Sequence, residues 1–143
     1  MPIPPHTATV AGIRFESLGG TPGYVSMNQH RGGSRSSKKN KWAVPPPVEY
    51  EIFARSHRGG WTCSRLHNWS IQPGLAVIGK NDECIAKFPG SSNTTDDRHG
   101  YPVSALDHQR LWEHRPPPEL THRWVQSSLI TDLQKKRIDK GKV

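Results

Sequence analysis

Two runs of three prolines, at 45–47 and 116–118, fix where this chain can and cannot be regular. Proline lacks an amide hydrogen and its ring clashes with the preceding turn. Neither run can therefore lie inside a helix or a central strand. The first reads as a stiff, extended hinge between an N-terminal arm and a folded core. The second reads as the end of a helix. Apolar residues make up only 32% of the 143 positions, against about 45–50% in ordinary globular chains. Part of the chain is therefore expected to stay outside the core, and the arm is the obvious part.

Periodicity fills in the rest. Residues 1–47 read as a basic Gly/Ser/Pro-rich arm, largely irregular, with one short strand possible across 8–16 at Thr9, Val10, Ile13 and Phe15. From Val48 to Arg55 apolar and charged residues alternate, which is the pattern of a half-buried strand. Residues 61–71 read as a second strand, and 75–79 with 83–88 as a hairpin around Lys80, Asn81 and Asp82. Ser104 with Asp107 has capping-box spacing and predicts a helix to about Arg115. A further helix from about Glu119 carries Leu120, Trp124, Val125, Leu129 and Leu133 on one stripe and ends on Lys135, Lys136 and Arg137. The expected fold is α+β. It has a small antiparallel four-stranded meander followed by two C-terminal helices and preceded by a long irregular arm. Residues 48–134 form its single domain and 135–143 a basic tail.

Charge narrows the function. Residues 1–44 hold six basic side chains and one acid, residues 133–143 five and one, and the stretch between them nine and ten. Two basic ends flanking a nearly neutral middle point to a polyanionic partner. No apolar run approaches the length of a membrane span. No leader is visible at the first residues. Cys63 and Cys84 fall on strands too far apart to bridge, and two reduced cysteines suit an intracellular protein.

The candidate nucleic-acid contacts fall into three groups. Arg31, Arg35, Lys38, Lys39 and Lys41 lie in a Gly/Ser tract that can follow a phosphate backbone. Lys135, Lys136, Arg137, Lys140 and Lys142 form the second cluster. On a regular strand, Trp61, Arg65, His67 and Trp69 share one face. There they offer either a stacking platform for unpaired bases or, by ordinary base rates, a core face. No spacing among the eight histidines predicts a metal site: Cys63 and His67 would stand about 13 Å apart on a strand, and His108 and His114 face different sides of a helix. No cofactor motif is present.

The expected function is a non-enzymatic nucleic-acid-associated protein, RNA ahead of DNA, acting as a component or accessory of a ribonucleoprotein or similar assembly. Other proteins of that assembly are further partners. Catalysis supplies the alternative: a small metal-independent, toxin-like ribonuclease with His57, His67 and His99 as acid and base and Arg65 as the cation. The Asp96, Asp97, Arg98, His99 loop could also contribute to a hydrolytic site. A protein–protein adaptor or structural subunit is the third class.

Overall fold

Both proline runs turn out to start helices. A computed structural model describes residues 3–31, 40–63, 66–90, 96–105 and 115–143. In chain order the elements are β1 (His6–Ala8), β2 (Gly12–Phe15), β3 (Tyr24–Met27), α1 (Pro46–Gly59), β4 (Asn68–Ser70), β5 (Ile85–Phe88), β6 (Tyr101–Val103), α2 (Pro118–Gln126) and α3 (Asp132–Asp139). Pro46 and Pro47 occupy the first turn of α1, and Pro118 opens α2. There the missing amide would have had no intrahelical acceptor, and the fixed φ is already helical. α1 ends at Gly60, whose left-handed φ of 63° turns the chain away. The fold is mixed α+β, as expected, but no four-stranded meander forms. Two separate antiparallel three-stranded sheets take its place, ordered β1-β2-β3 and β4-β5-β6.

Four local expectations are corrected. The alternating stretch from Val48 is the helix α1: Glu49, Ile52, Phe53 and Ser56 form one buried stripe at helical spacing, flanked by Tyr50 and Ala54. The strand expected at 61–71 shrinks to Asn68–Ser70, because the chain folds back on itself. The Trp69 amide donates to the Trp61 carbonyl at 2.9 Å, and the Cys63 amide to that of His67 at 3.0 Å. Residues 75–79 form no strand. The turn at 80–82 is present, closed by the amides of Ile78 and Gly79 on the Glu83 carbonyl. The single helix expected from Glu119 is two, α2 and α3. Thr131 caps the second in a capping box with Gln134. The helix expected at 104–115 lies largely outside the described residues.

The N-terminal arm is also corrected over its described part. Residues 3–31 contain β1, β2 and β3, and Phe15 and Tyr24 are fully buried with Trp42, Tyr50, Phe53 and Phe88. Gly12 at φ 151° lets β2 pass β3, where a Cβ would lie 2.0 Å from the Ser26 carbonyl oxygen. The C-terminal segment is no free tail either. Ile138 is fully buried, and the Ala105 amide donates to the Val143 carbonyl at 2.8 Å.

The β4-β5-β6 sheet separates two cores. All four β5 residues are buried. Ala86 and Phe88 face the first core with α1, while Ile85 faces the second, built by Trp61, Trp69, Val103, Leu120, Trp124 and Ile138. Lys87 lies opposite Trp69 in the register, its Nζ 5.5 Å from the ring centroid. A cation on an indole face is attractive even where water is scarce.

Two substitutions probe this arrangement. Trp69→Ala should destabilise the protein by about 3–5 kcal/mol through the cavity it leaves. Glu49→Ala should cost a similar amount, about 3–5 kcal/mol, by stranding Arg31. Urea denaturation followed by tryptophan fluorescence and circular dichroism measures both.

Candidate nucleic-acid interface

The candidate contacts separate once their partners are known. Arg31 is held inside the fold: its guanidinium donates to the Glu49 carboxylate, to Ser26 Oγ at 3.2 Å and to the Val44 carbonyl. It ties β3, the start of α1 and the preceding loop together, and it is not the phosphate contact expected of it. Lys41 reaches back to the Gln29 carbonyl at 2.6 Å. Between them, the chain is pinched at its base, where the Trp42 amide donates to the His30 carbonyl and His30 Nδ1 donates to the Asn40 carbonyl at 2.8 Å. Arg35, Lys38, Lys39 and Arg65 lie outside the described residues.

The rings expected to form a stacking platform are core residues. Trp61 and Trp69 are 8% and 2% exposed, in the second core. Trp61 meets Trp124 edge to face at 5.7 Å. His67 sits in the turn between them, where its Nδ1 accepts from the Gly90 amide at 2.8 Å. A ring buried on both faces cannot receive a base.

The catalytic histidines hold different parts of the fold. His57 Nε2 donates to the Gly20 carbonyl at 2.9 Å, fixing the β2–β3 hairpin to α1. His67 braces the segment after β5. Half-buried His99 has its pKa lowered, first by loss of water and then by the neighbouring Arg98 charge. Asp97 makes a bidentate pair with Arg14, at 2.8 and 3.2 Å. Among the described residues, no group of three or more His, Cys, Asp or Glu side chains gathers where a metal could sit. Cys63 and Cys84 are free thiols, and burial pushes that of Cys84 up, helped by Asp82 and Glu83.

The C-terminal cluster divides. Lys135 pairs with Asp139 and donates to Thr121 Oγ1 at 3.1 Å, locking α3 onto α2. Lys136, Arg137, Lys140 and Lys142 are exposed. Arg137 reaches only the Lys142 carbonyl, at 3.3 Å, and none of the four has a carboxylate partner among the described residues. The only acid among residues 135–143 is Asp139, which Lys135 already neutralises. The end of α3 therefore carries a local surplus of positive charge beside the partial negative charge of its own carbonyls.

Neither Arg58 nor Arg98 stands among the expected nucleic-acid contacts, and Arg98 enters the sequence reading only within the Asp96, Asp97, Arg98, His99 loop. Arg58 is exposed at the end of α1 and was visible only as part of an Arg-Gly-Gly turn. Arg98 uses one guanidinium nitrogen for three neutral acceptors, Asn68 Oδ1 and the carbonyls of Phe88 and Pro89. Burial lowers its pKa. No sequence pattern signals such a clamp, because its acceptors come from two segments about twenty residues apart, Asn68 and Phe88–Pro89. Among the described residues no helix is long and apolar enough to cross a membrane. Searches of family models, of curated proteins and of solved structures found no match to the chain.

The lowered pKa of His99 makes a signed prediction. The unfolded chain binds its proton more readily than the folded one, so this group's contribution is complete above about pH 6.5 and is lost as pH falls below it. Glu49, raised by burial, acts in the opposite sense: its contribution is lost as pH rises above 4.5 through its folded value. Replacing His99 with Gln should therefore shrink the stability lost between about pH 7.5 and about pH 5.5, measured by urea unfolding at each pH.

Proposed function

We propose that this protein associates with single-stranded nucleic acid, RNA ahead of DNA, through phosphate contacts, without catalysis, as an accessory of a larger assembly. One observation carries the reading: Lys136, Arg137, Lys140 and Lys142 stand exposed at the end of α3 with no carboxylate paired to them among the described residues. The net charge of +8 supports it. Lys136 and Lys140 lie four residues apart and so share a face of the helix end, with Arg137 beside them. That spacing suits successive phosphates rather than one chelated ion.

With Trp61 and Trp69 in the core, binding follows charge and shows little base preference. The affinity assigned to Arg31 moves to the C-terminal cluster, because Arg31 already holds Glu49. The ribonuclease alternative has less support: His57 holds the Gly20 carbonyl and His67 receives the Gly90 amide, so each has a structural role in a different segment.

Anisotropy of a labelled oligouridylate across a salt series tests the proposal. Binding should weaken steeply with salt, and the quadruple variant K136Q/R137Q/K140Q/K142Q should bind much more weakly. Each neutralised phosphate contributes about 0.7 to the log–log slope on a single strand, so the slope should fall by up to about 3. The oligonucleotide should remain intact on prolonged incubation. No binding at low salt, or an unchanged slope in the variant, overturns the reading.

A further inference from the structure

A cavity of about 460 Å³ opens between the β2–β3 hairpin loop, Leu18 to Thr21, and the face of α1 that carries Tyr50, His57 and Arg58. That volume falls within the usual range for small-ligand sites. It lies in a different part of the chain from the exposed cations of α3. Helical spacing puts Tyr50, His57 and Arg58 together, seven and eight residues apart on α1.

The loop half of the cavity is built tightly. Leu18 and Thr21 exchange amide–carbonyl bonds at 3.1 and 3.0 Å, and Ser17 Oγ donates to the Thr21 carbonyl at 3.0 Å. Gly19 takes the left-handed φ of 61° that closes such a turn. His57 Nε2 then pins the loop through the Gly20 carbonyl at 2.9 Å. This leaves the amides of Gly19 and Gly20 without an acceptor among the described residues. A Cβ at either glycine would meet nothing within 4 Å, so the backbone faces open space.

The helix half supplies charge and a floor. Tyr50 is 1% exposed and stacks on Phe15 at 4.9 Å, so it is a rigid base rather than a moving wall. Burial raises its pKa, while the nearby Arg58 charge and a hydrogen bond with Thr21 pull the other way. Arg58 lines the same cavity as Tyr50 and has no hydrogen bond or ion pair among the described residues. The negative end of the α1 dipole is already met from the other side. Arg123 donates to the carbonyls of Gly59 and Gly60 at 2.5 and 3.1 Å.

We propose that this cavity is a binding site for a small ligand carrying an oxyanion, phosphate or carboxylate, which Arg58 and the Gly19–Gly20 amides receive while Leu18 covers its apolar part. A guanidinium and two backbone amides lining one cavity, without partners among the described residues, are the donor types that such groups take. Half-exposed Leu18 supplies the apolar wall that distinguishes a ligand from a bare ion. The inference stands on the cavity alone and is independent of the nucleic-acid reading.

Amide-detected NMR titration tests it with four probes: adenosine monophosphate, benzoate, inorganic phosphate and adenosine. Saturable shifts at Gly19, Gly20 and Thr21 with either organic oxyanion, and not with adenosine, are expected. Inorganic phosphate should bind more weakly than the monophosphate. Exposed Arg58 makes no contact that the fold needs, so Arg58→Gln should keep its thermal unfolding temperature and bind about tenfold more weakly, the scale of one hydrogen bond to a charged group. The same shifts should persist in K136Q/R137Q/K140Q/K142Q, which separates this site from the α3 cluster. Absence of shifts at these amides with both organic oxyanions, equal binding of adenosine, or unchanged affinity in Arg58→Gln overturns the proposal.

Discussion

The buried Glu49 carboxylate joins pieces of the chain that have little else in common. It is fully inaccessible to water, one turn into α1, and both its oxygens are occupied. Tyr24 donates to Oε2 at 2.5 Å, and Ser26 to Oε1 at 2.7 Å, where Arg31 also donates. Burial pushes the Glu49 pKa up, and these donors and the Arg31 charge only partly pull it back. Burial of a lone carboxylate would be prohibitive, so Tyr24, Ser26 and Arg31 must all be in place together. That condition fixes β3 against α1. It also brings Phe15 and Tyr24 onto Tyr50 and Phe53. An N-terminal segment with few apolar residues is thereby recruited to the core by a polar anchor.

The partition sheet extends the same economy. Because β5 is buried on both faces, four residues serve two cores, which a chain with 32% hydrophobic content needs. Asn68, on the α1 side, links Ser56 Oγ to Arg98. Arg98 in turn bonds by its backbone to Gly23 and Val25, closing the outer edge of β3. The β5–β6 connection therefore stitches the second sheet to the first, and a strand edge that could pair with another chain is covered. Positive charge is treated in two ways. Arg31, Lys87 and Arg98 are drawn inward to hold segments together, while Lys136, Arg137, Lys140 and Lys142 remain outside.

This division explains how much of the candidate interface was legible. Counting charges found the basic end of α3, four of whose five cations are exposed, because the polar face of a terminal helix turns to water. The same count failed at Arg31, where a nearby Gly/Ser tract suggested exposure but a carboxylate 18 residues away claimed the side chain. The aromatic reading failed at Trp61 and Trp69 for a related reason. Their spacing implied one strand face, whereas the pairing of Cys63 with His67 and of Trp61 with Trp69 brought both rings into the core that holds Trp124. Arg58 gave no signal beyond a turn, since its cavity exists only when the hairpin loop lies on α1.

By itself the sequence determined the breakpoints, the mixed α+β class, the turn at 80–82, the helical character after residue 118 and the uneven charge. Each follows from covalent chemistry or a local pattern: a missing amide hydrogen, a short polar turn, a 3.6-residue stripe, a fixed charge. Tertiary structure decided what those breakpoints meant. A proline run can separate two units or open a helix, and only the buried stripe of Glu49, Ile52, Phe53 and Ser56 selects the second for 45–47. The segment from Val48 fits a period of two as well as one of 3.6 over its few residues. Burial against β3 and β4 settled the choice, because a strand would have turned Glu49 away from Tyr24, Ser26 and Arg31.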